Sequence, residues 1–166
     1  PHGVLFRGGK EGEIRQCLLE KDLLEAVIGL PNNLFCSTSI PVCLLIWRKT
    51  KPADRERKVL FIDASARFKP GKNQNTMTDE DTEVIHAAYA RGEDLDGDGG
   101  LHLRLVDIAE IESNGWDLNI GHYIQTEAAA EVDVEAALAA YWAARDELRA
   151  AERVLDAKLK AAGFDA

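Results

Sequence analysis

Asp94-Leu95-Asp96-Gly97-Asp98-Gly99 is the stretch whose residue types come nearest to a ready-made ligand site. Carboxylates at alternate positions before a glycine open the calcium loop of an EF-hand, which supplies a hard cation with oxygen ligands and closes on a bidentate glutamate at its twelfth position. That position is Leu105, and Leu101, Leu103 and Leu105 alternate like a strand where an exiting helix is required. An acidic, solvent-exposed turn is the expectation, with a calcium site as its competitor. Gly8-Gly9-Lys10-Glu11-Gly12 runs into a helical pattern, where backbone N–H groups can hold an anion, but it lacks the P-loop spacing and the Ser or Thr after the lysine. It reads as a structural turn. His2, His86, His102 and His122 are scattered, and Ser37, Thr38 and Ser39 have no nucleophile-elbow context. Cys17, Cys36 and Cys43 form neither a zinc pattern nor a disulfide framework. No metal is expected, and Cys17 and Cys43, set in apolar runs, are expected to be buried reduced thiols. Two basic loops could meet phosphate: residues 48–58, with Lys49 and Lys51, and residues 67–75, with Arg67, Lys69 and Lys72.

The overall balance runs the other way. Twenty basic against 29 acidic residues leave a net charge of −9, which argues against a chain that grips nucleic acid by itself, because phosphate neutralisation supplies most of that affinity. With 46% apolar and 30% charged residues, 166 in all, the composition is that of one soluble globular domain rather than a disordered segment. No apolar run is long enough to span a bilayer.

The elements that must position these residues alternate between helix and strand. Residues 11–20 carry Ile14, Cys17 and Leu18 at helical spacing. Leu24 to Leu30 is a short apolar run, and Val42 to Trp47 is a second with no alternation, which suits a strand covered on both faces in the middle of an α/β sheet; Val59 to Ile62 is a third strand, closed by Asp63. Between the first two lies a turn-rich loop, Pro31 to Pro41. Residues 48–58 read as a solvated hairpin tip. Thr78 reads as an N-cap before Asp79, Glu80 and Asp81, with Val84, Ile85, Ala88 and Tyr89 continuing a helix to Gly92. From Glu127 the composition changes: fifteen of the last forty residues are alanine. Asp133 and Gly163 bracket a predicted helix of about thirty residues, about 45 Å long. Its narrow seam (Val134, Leu138, Tyr141, Leu148, Leu155, Leu159, interrupted by Arg145 and Glu152) fits packing against another helix, with folding back on its own domain as the alternative.

An ordered series of segments resembles a known family. Pro1-His2-Gly3-Val4-Leu5-Phe6-Arg7-Gly8-Gly9, Glu13-Ile14-Arg15, residues 27–35 (VIGLPNNLF), Ile40-Pro41-Val42, Leu60-Phe61-Ile62-Asp63-Ala64-Ser65, Asn73-Gln74-Asn75, Asp117-Leu118-Asn119-Ile120 and Tyr123-Ile124 together resemble the modification (M) subunit of type I restriction-modification systems, an N6-adenine DNA methyltransferase. The resemblance covers nearly the whole chain in order. It departs at Asp117, where the family often has asparagine, so no contact is assigned there.

The resemblance implies an α/β fold: residues 1–126 as the C-terminal portion of a Rossmann-like methyltransferase domain that uses S-adenosyl-L-methionine (SAM), followed by a helical tail, residues 127–166, for subunit assembly. The family's glycine-rich SAM motif and its Asn-Pro-Pro-Phe catalytic motif lie upstream of the matching segments and do not occur in these residues. The chain is therefore expected to carry no catalytic or cofactor-binding residue of its own and to be inactive alone. In related adenine methyltransferases an aromatic side chain of the corresponding loop stacks on the flipped target base, and Phe35 matches that position; the competing reading is that Phe35 plugs the core. The family also implies a specificity (S) subunit, docking on Leu138, Tyr141, Leu148 and Leu155, a restriction (R) subunit, DNA in the assembled enzyme, and a cytoplasmic location. A non-catalytic interaction module with a protruding helix is the alternative from another class.

Overall fold

Three apolar runs become strands β1 (Leu24–Gly29), β2 (Cys43–Trp47) and β3 (Lys58–Asp63) in a computed structural model that describes residues 1–36, 38–93, 95–96, 98–124 and 134–163. With β4 (Leu95–Asp96) and β5 (His102–Asp107) they form a five-stranded mixed sheet in the order β2-β1-β3-β5-β4. Only β1 and β3 run parallel; the β1–β2, β3–β5 and β4–β5 pairs are antiparallel. Helices α1 (Lys10–Glu20), α2 (Asp79–Arg91), α3 (Ile108–Ser113) and α4 (Ile120–Tyr123), with 3-10 turns at His2–Leu5 and Asp98–Gly100, make up the remaining regular structure among the described residues of the unit 1–126. The architecture is α/β.

Side-chain alternation along β3 divides the core. Val59 and Phe61 face a cluster with Leu5, Leu19, Ile111, Ile120 and Tyr123, whereas Leu60 and Ile62 face one with Ile85 and Ala88 of α2. Phe61 stacks on Tyr123 at 4.3 Å between ring centroids. A bulge between Leu24 and Ala26 shifts the register, so Leu24 and Val27 share one face while Ala26 and Ile28 share the other.

Two expected strands fare differently. β1 is buried along its whole length, but β2 is an edge strand, with Leu44 and Trp47 exposed, and is not covered on both faces. An unalternating apolar run records side-chain chemistry, not the number of neighbouring strands. The connection 48–58 is likewise no hairpin tip: β2 pairs with β1, so the chain crosses to β3, and both Lys51 and Arg55 are drawn inward. Arg55 Nη1 and Arg48 Nε lie 3.4 and 2.6 Å from the carboxylate of Glu25, which also accepts from the Tyr89 hydroxyl at 2.7 Å.

Helix α1 forms where expected, but it buries Arg15 and Leu19 rather than Ile14 and Cys17, which are exposed. Gly9, at φ 63, caps it, as a structural turn requires. Cys17 is therefore not a buried thiol; Cys43 is half-buried, and burial pushes its thiol pKa up. Helix α2 has Thr78 as its expected N-cap, and the structure adds a capping box, in which Thr78 Oγ1 accepts from Asp81 N–H and the Asp81 carboxylate accepts from Thr78 N–H; Gly92 ends it at φ 65. In the acidic repeat at 94–99, Asp94 and Gly97 lie outside the described residues, as do the side chains of residues 95, 96 and 98. Among the described residues no group of three His, Cys, Asp or Glu side chains could hold a metal ion, and no helix is long and apolar enough to cross a membrane.

Residues 127–166 form a separate unit, whose helix α5 spans Val134–Ala161; Asp133 lies outside the described residues. Leu138, Tyr141, Leu148 and Leu155 are each half or more exposed on it. Trp142, also exposed, meets Tyr141 edge to face at 5.2 Å and lies under Arg145.

Candidate functional site

The site is built at the ends of the two parallel strands. Because β1 and β3 run in the same direction, their C-terminal ends, Gly29 and Asp63, come together, and Ala64 N–H donates to Gly29 O at 2.9 Å. That edge of a parallel pair is where α/β proteins place ligands. Two loops leave it: residues 30–42 after β1, and a second after β3 that turns back at residues 69–76.

The first loop presents Phe35. Its side chain is 58% exposed, so Phe35 is not the core plug that sequence alone allowed. It lines a cleft of about 440 Å³ with Leu30, Thr38, Ile40, Cys43 and Leu44. Phe35 and Thr38 form an isolated antiparallel bridge, and Thr38 Oγ1 accepts from Ile40 N–H at 3.2 Å. Asn33 sits at φ 54, a conformation asparagine tolerates better than most side chains.

The second loop holds the first. Lys69 and Thr76 pair through 2.8 and 3.0 Å backbone hydrogen bonds, making a tight hairpin whose tip is residues 70–75. Gly71 is required there, because a Cβ would lie 2.1 Å from Gln74 O. From this tip Asn75 Nδ2 donates to Asn32 O at 3.0 Å, Asn75 N–H donates to Asn33 O at 2.8 Å, and Gln74 Nε2 donates to Leu34 O. Asn75 is buried and Gln74 half-buried, although Asn73 and Thr76 on either side are exposed.

The five basic candidates separate into two groups. Lys69 and Lys72 are on the hairpin beside the Phe35 loop and are exposed, and Arg67 lies just before it. Arg67 is committed internally, 3.0 Å from Asp81 and donating to Gly99 O at 2.7 Å. Lys49 and Lys51 follow Trp47, which pairs with Leu24 at the beginning of β1. They stand at the opposite end of the sheet. Lys49 is exposed, but the Lys51 ammonium is buried, 2.5 Å from Asp22 and 2.6 Å from Lys58 O. The side-chain amides of Gln74 and Asn75 serve a loop about forty residues away, a pairing no local pattern reveals.

A family model for N-6 DNA methylases matches residues 1–132, and the chain belongs to that family. Its relatives are methylase subunits of type I restriction enzymes. The MjaVIII methylase subunit of Methanocaldococcus jannaschii is 42% identical over 125 residues, covering 74% of this chain and 21% of that protein. Among solved structures, the type I restriction-modification methyltransferase subunit of Streptococcus thermophilus is 48% identical, with a TM-score of 0.69 over 76% of this chain and 25% of that one. The EcoKI M protein of Escherichia coli shares the fold, with a TM-score of 0.57 at 22% identity over 99% of this chain and 40% of that one. The chain spans about a fifth to a quarter of the length of its most similar relatives.

Proposed function

We propose that this chain is the substrate-side and assembly-side part of the DNA-methylating subunit of a type I restriction-modification enzyme, which transfers a methyl group from SAM to N6 of adenine. The sheet is the C-terminal part of the subunit's Rossmann-like domain, and Phe35 stacks on the target base once it leaves the duplex. An enzyme acting on a base must extrude it and hold it against apolar or aromatic surface. The observation that carries the reading is a half-exposed phenylalanine at the mouth of a cleft, on a loop fixed at the C-terminal end of a parallel strand pair. Lys69 and Lys72, beside it, approach the DNA backbone.

The residues present do not fit SAM. Strand β1 leads into Pro31-Asn32-Asn33 and β3 into Ala64-Ser65, with no glycine-rich turn for a close approach of backbone to cofactor. Gly29 leaves room for Ile120 instead, whose Cδ1 lies 2.6 Å from where a Cβ would stand. The cofactor and the catalytic Asn-Pro-Pro-Phe motif therefore belong to the rest of the subunit, and this chain alone transfers no methyl group. The exposed seam Leu138, Tyr141, Leu148 and Leu155, widened by Trp142, docks the specificity subunit, and the restriction subunit joins the assembled enzyme.

Phe35→Leu in the complete subunit tests the reading. Base–aromatic stacking is worth about 1–3 kcal/mol, so methylation should fall about tenfold with SAM binding unchanged; unaltered turnover rejects the role. Deleting residues 127–166 should abolish co-purification with the specificity subunit.

A further inference from the structure

We infer that Asn73-Gln74-Asn75 is a positioning clamp for the base-holding loop, fixing Phe35 by occupying the three backbone carbonyls that precede it. The inference rests on the reading of Phe35 given above. The carbonyls of Asn32, Asn33 and Leu34 accept in turn from Asn75 Nδ2, Asn75 N–H and Gln74 Nε2. Gln74 Oε1 then accepts from Cys36 Sγ at 3.2 Å on the far side of Phe35, and Asn33 Nδ2 donates back to Asn73 O at 3.5 Å. Asn75 Nδ2 also lies 3.3 Å from Asn32 Oδ1. Residues 32–36 are thus gripped on both sides of the aromatic position, while Phe35 itself makes no side-chain hydrogen bond and stays exposed.

The chemistry explains the residue types. Loop carbonyls have no strand partner here, and every one shielded from water needs a donor. A primary amide supplies donors and an acceptor without charge, so Gln74 can take a thiol and give to a carbonyl at once. A carboxylate of the same size cannot donate and would face carbonyl oxygens. Gly71 completes the device, since a Cβ at 2.1 Å from Gln74 O would open the tip. These side chains act through the loop and touch no reacting atom, so they are positioning residues.

The test uses the complete methylase subunit in its complex with the specificity subunit, comparing wild type with Gln74→Glu, Asn75→Asp and Phe35→Leu, and combining Gln74→Glu with Phe35→Leu. Amide hydrogen exchange across residues 31–41 should quicken by about tenfold or more in both clamp variants, the cost of one lost hydrogen bond, with the amides of β1 and β3 unchanged. Unaltered loop exchange overturns the clamp. Methylation should fall about tenfold in Gln74→Glu, with 2-aminopurine at the target position losing its contact with Phe35 and brightening or dimming as it does in Phe35→Leu. In the double variant the Gln74→Glu effect should largely vanish, because coupled residues are not additive. Faster exchange with fully additive methylation losses overturns the link from clamp to Phe35. A silent Phe35→Leu refutes the stacking reading itself, and loop exchange then still decides whether the clamp exists.

Discussion

Arg15 sits on the buried face of α1 and ties three segments of chain to one side chain. Its guanidinium donates to Trp116 O at 2.8 Å through Nε and to Val4 O and Arg7 O, both at 3.0 Å, through Nη1. The side chain is buried, and Trp116 is held at φ 60, a conformation few non-glycine residues occupy without support. A hydrogen bond to a charged group contributes about 1.5–3 kcal/mol, and a buried carbonyl left bare costs about 1–3 kcal/mol. Two of the three acceptors lie in the first seven residues and can recover water, which leaves about 3 kcal/mol as the expected loss in Arg15→Met. With a urea slope of about 1.5 kcal/mol per molar, the midpoint falls by about 2 M. Arg15→Lys should recover less than half of this, because one ammonium cannot reach three carbonyls in a fixed fork. The assay is urea unfolding followed by tryptophan fluorescence, with Arg7→Met as the control. Arg7 is exposed and only 3.7 Å from Glu11, so the same charge change there should cost under about 0.5 kcal/mol. Equal losses at the two positions, or a full rescue by lysine, would refute the stapling argument.

Arg55→Met should cost about 3 kcal/mol, since it strips the buried Glu25 of one partner; adding Glu25→Leu should restore part of that stability, and a double variant weaker than the single would contradict this. Burial pushes the Tyr123 phenol up to about 12, so the folded state favours the neutral form. Its contribution is complete below pH 10 and disappears between pH 10 and about 12, and Tyr123→Phe should flatten that alkaline decline in thermal melts. Asp81 is held below the usual carboxylate range chiefly by the Thr78 N–H and hydroxyl. Its contribution is present above the ordinary carboxylate value and is lost as pH falls through the lower folded value, so Asp81→Asn should blunt the acid dependence of stability. Thr78→Ala should cost about 1 kcal/mol at neutral pH, read from the same melts.

What the sequence disclosed was local chemistry. The cap of α2 needed only Thr78, its acidic first turn and Gly92, all within one helix, and each forms as its chemistry dictates. Strands β1 and β3 follow from short apolar runs, although nothing in the sequence marks Glu25, inside β1, as a buried carboxylate. Helix α1 was legible as a helix but not in its orientation, because apolar periodicity cannot anticipate that an arginine would be the buried residue and Ile14 the exposed one. The edge position of β2 was equally hidden, since what a strand pairs with depends on the crossover to β3.

The same crossover decides what the basic loops can do. Read along the chain, residues 48–58 and 67–75 are equivalent patches of positive charge flanking β3. In the fold they lie at opposite ends of the sheet, and two of their guanidinium or ammonium groups, Lys51 and Arg67, are committed to Asp22 and Asp81. Only the hairpin at 67–75 shares an edge with Phe35, and it does so through neutral amides. A net charge of −9 is therefore compatible with a local role on DNA: the loop needs little electrostatic grip if its work is to hold one aromatic ring in place. On the proposed reading, Gln74 and Asn75 supply that rigidity without adding charge, beside the exposed Lys69 and Lys72 that are proposed to approach the DNA backbone. Removing positive charge at Lys69 or Lys72 should then weaken DNA affinity and its salt dependence, whereas removing an amide donor should leave both and slow the reaction.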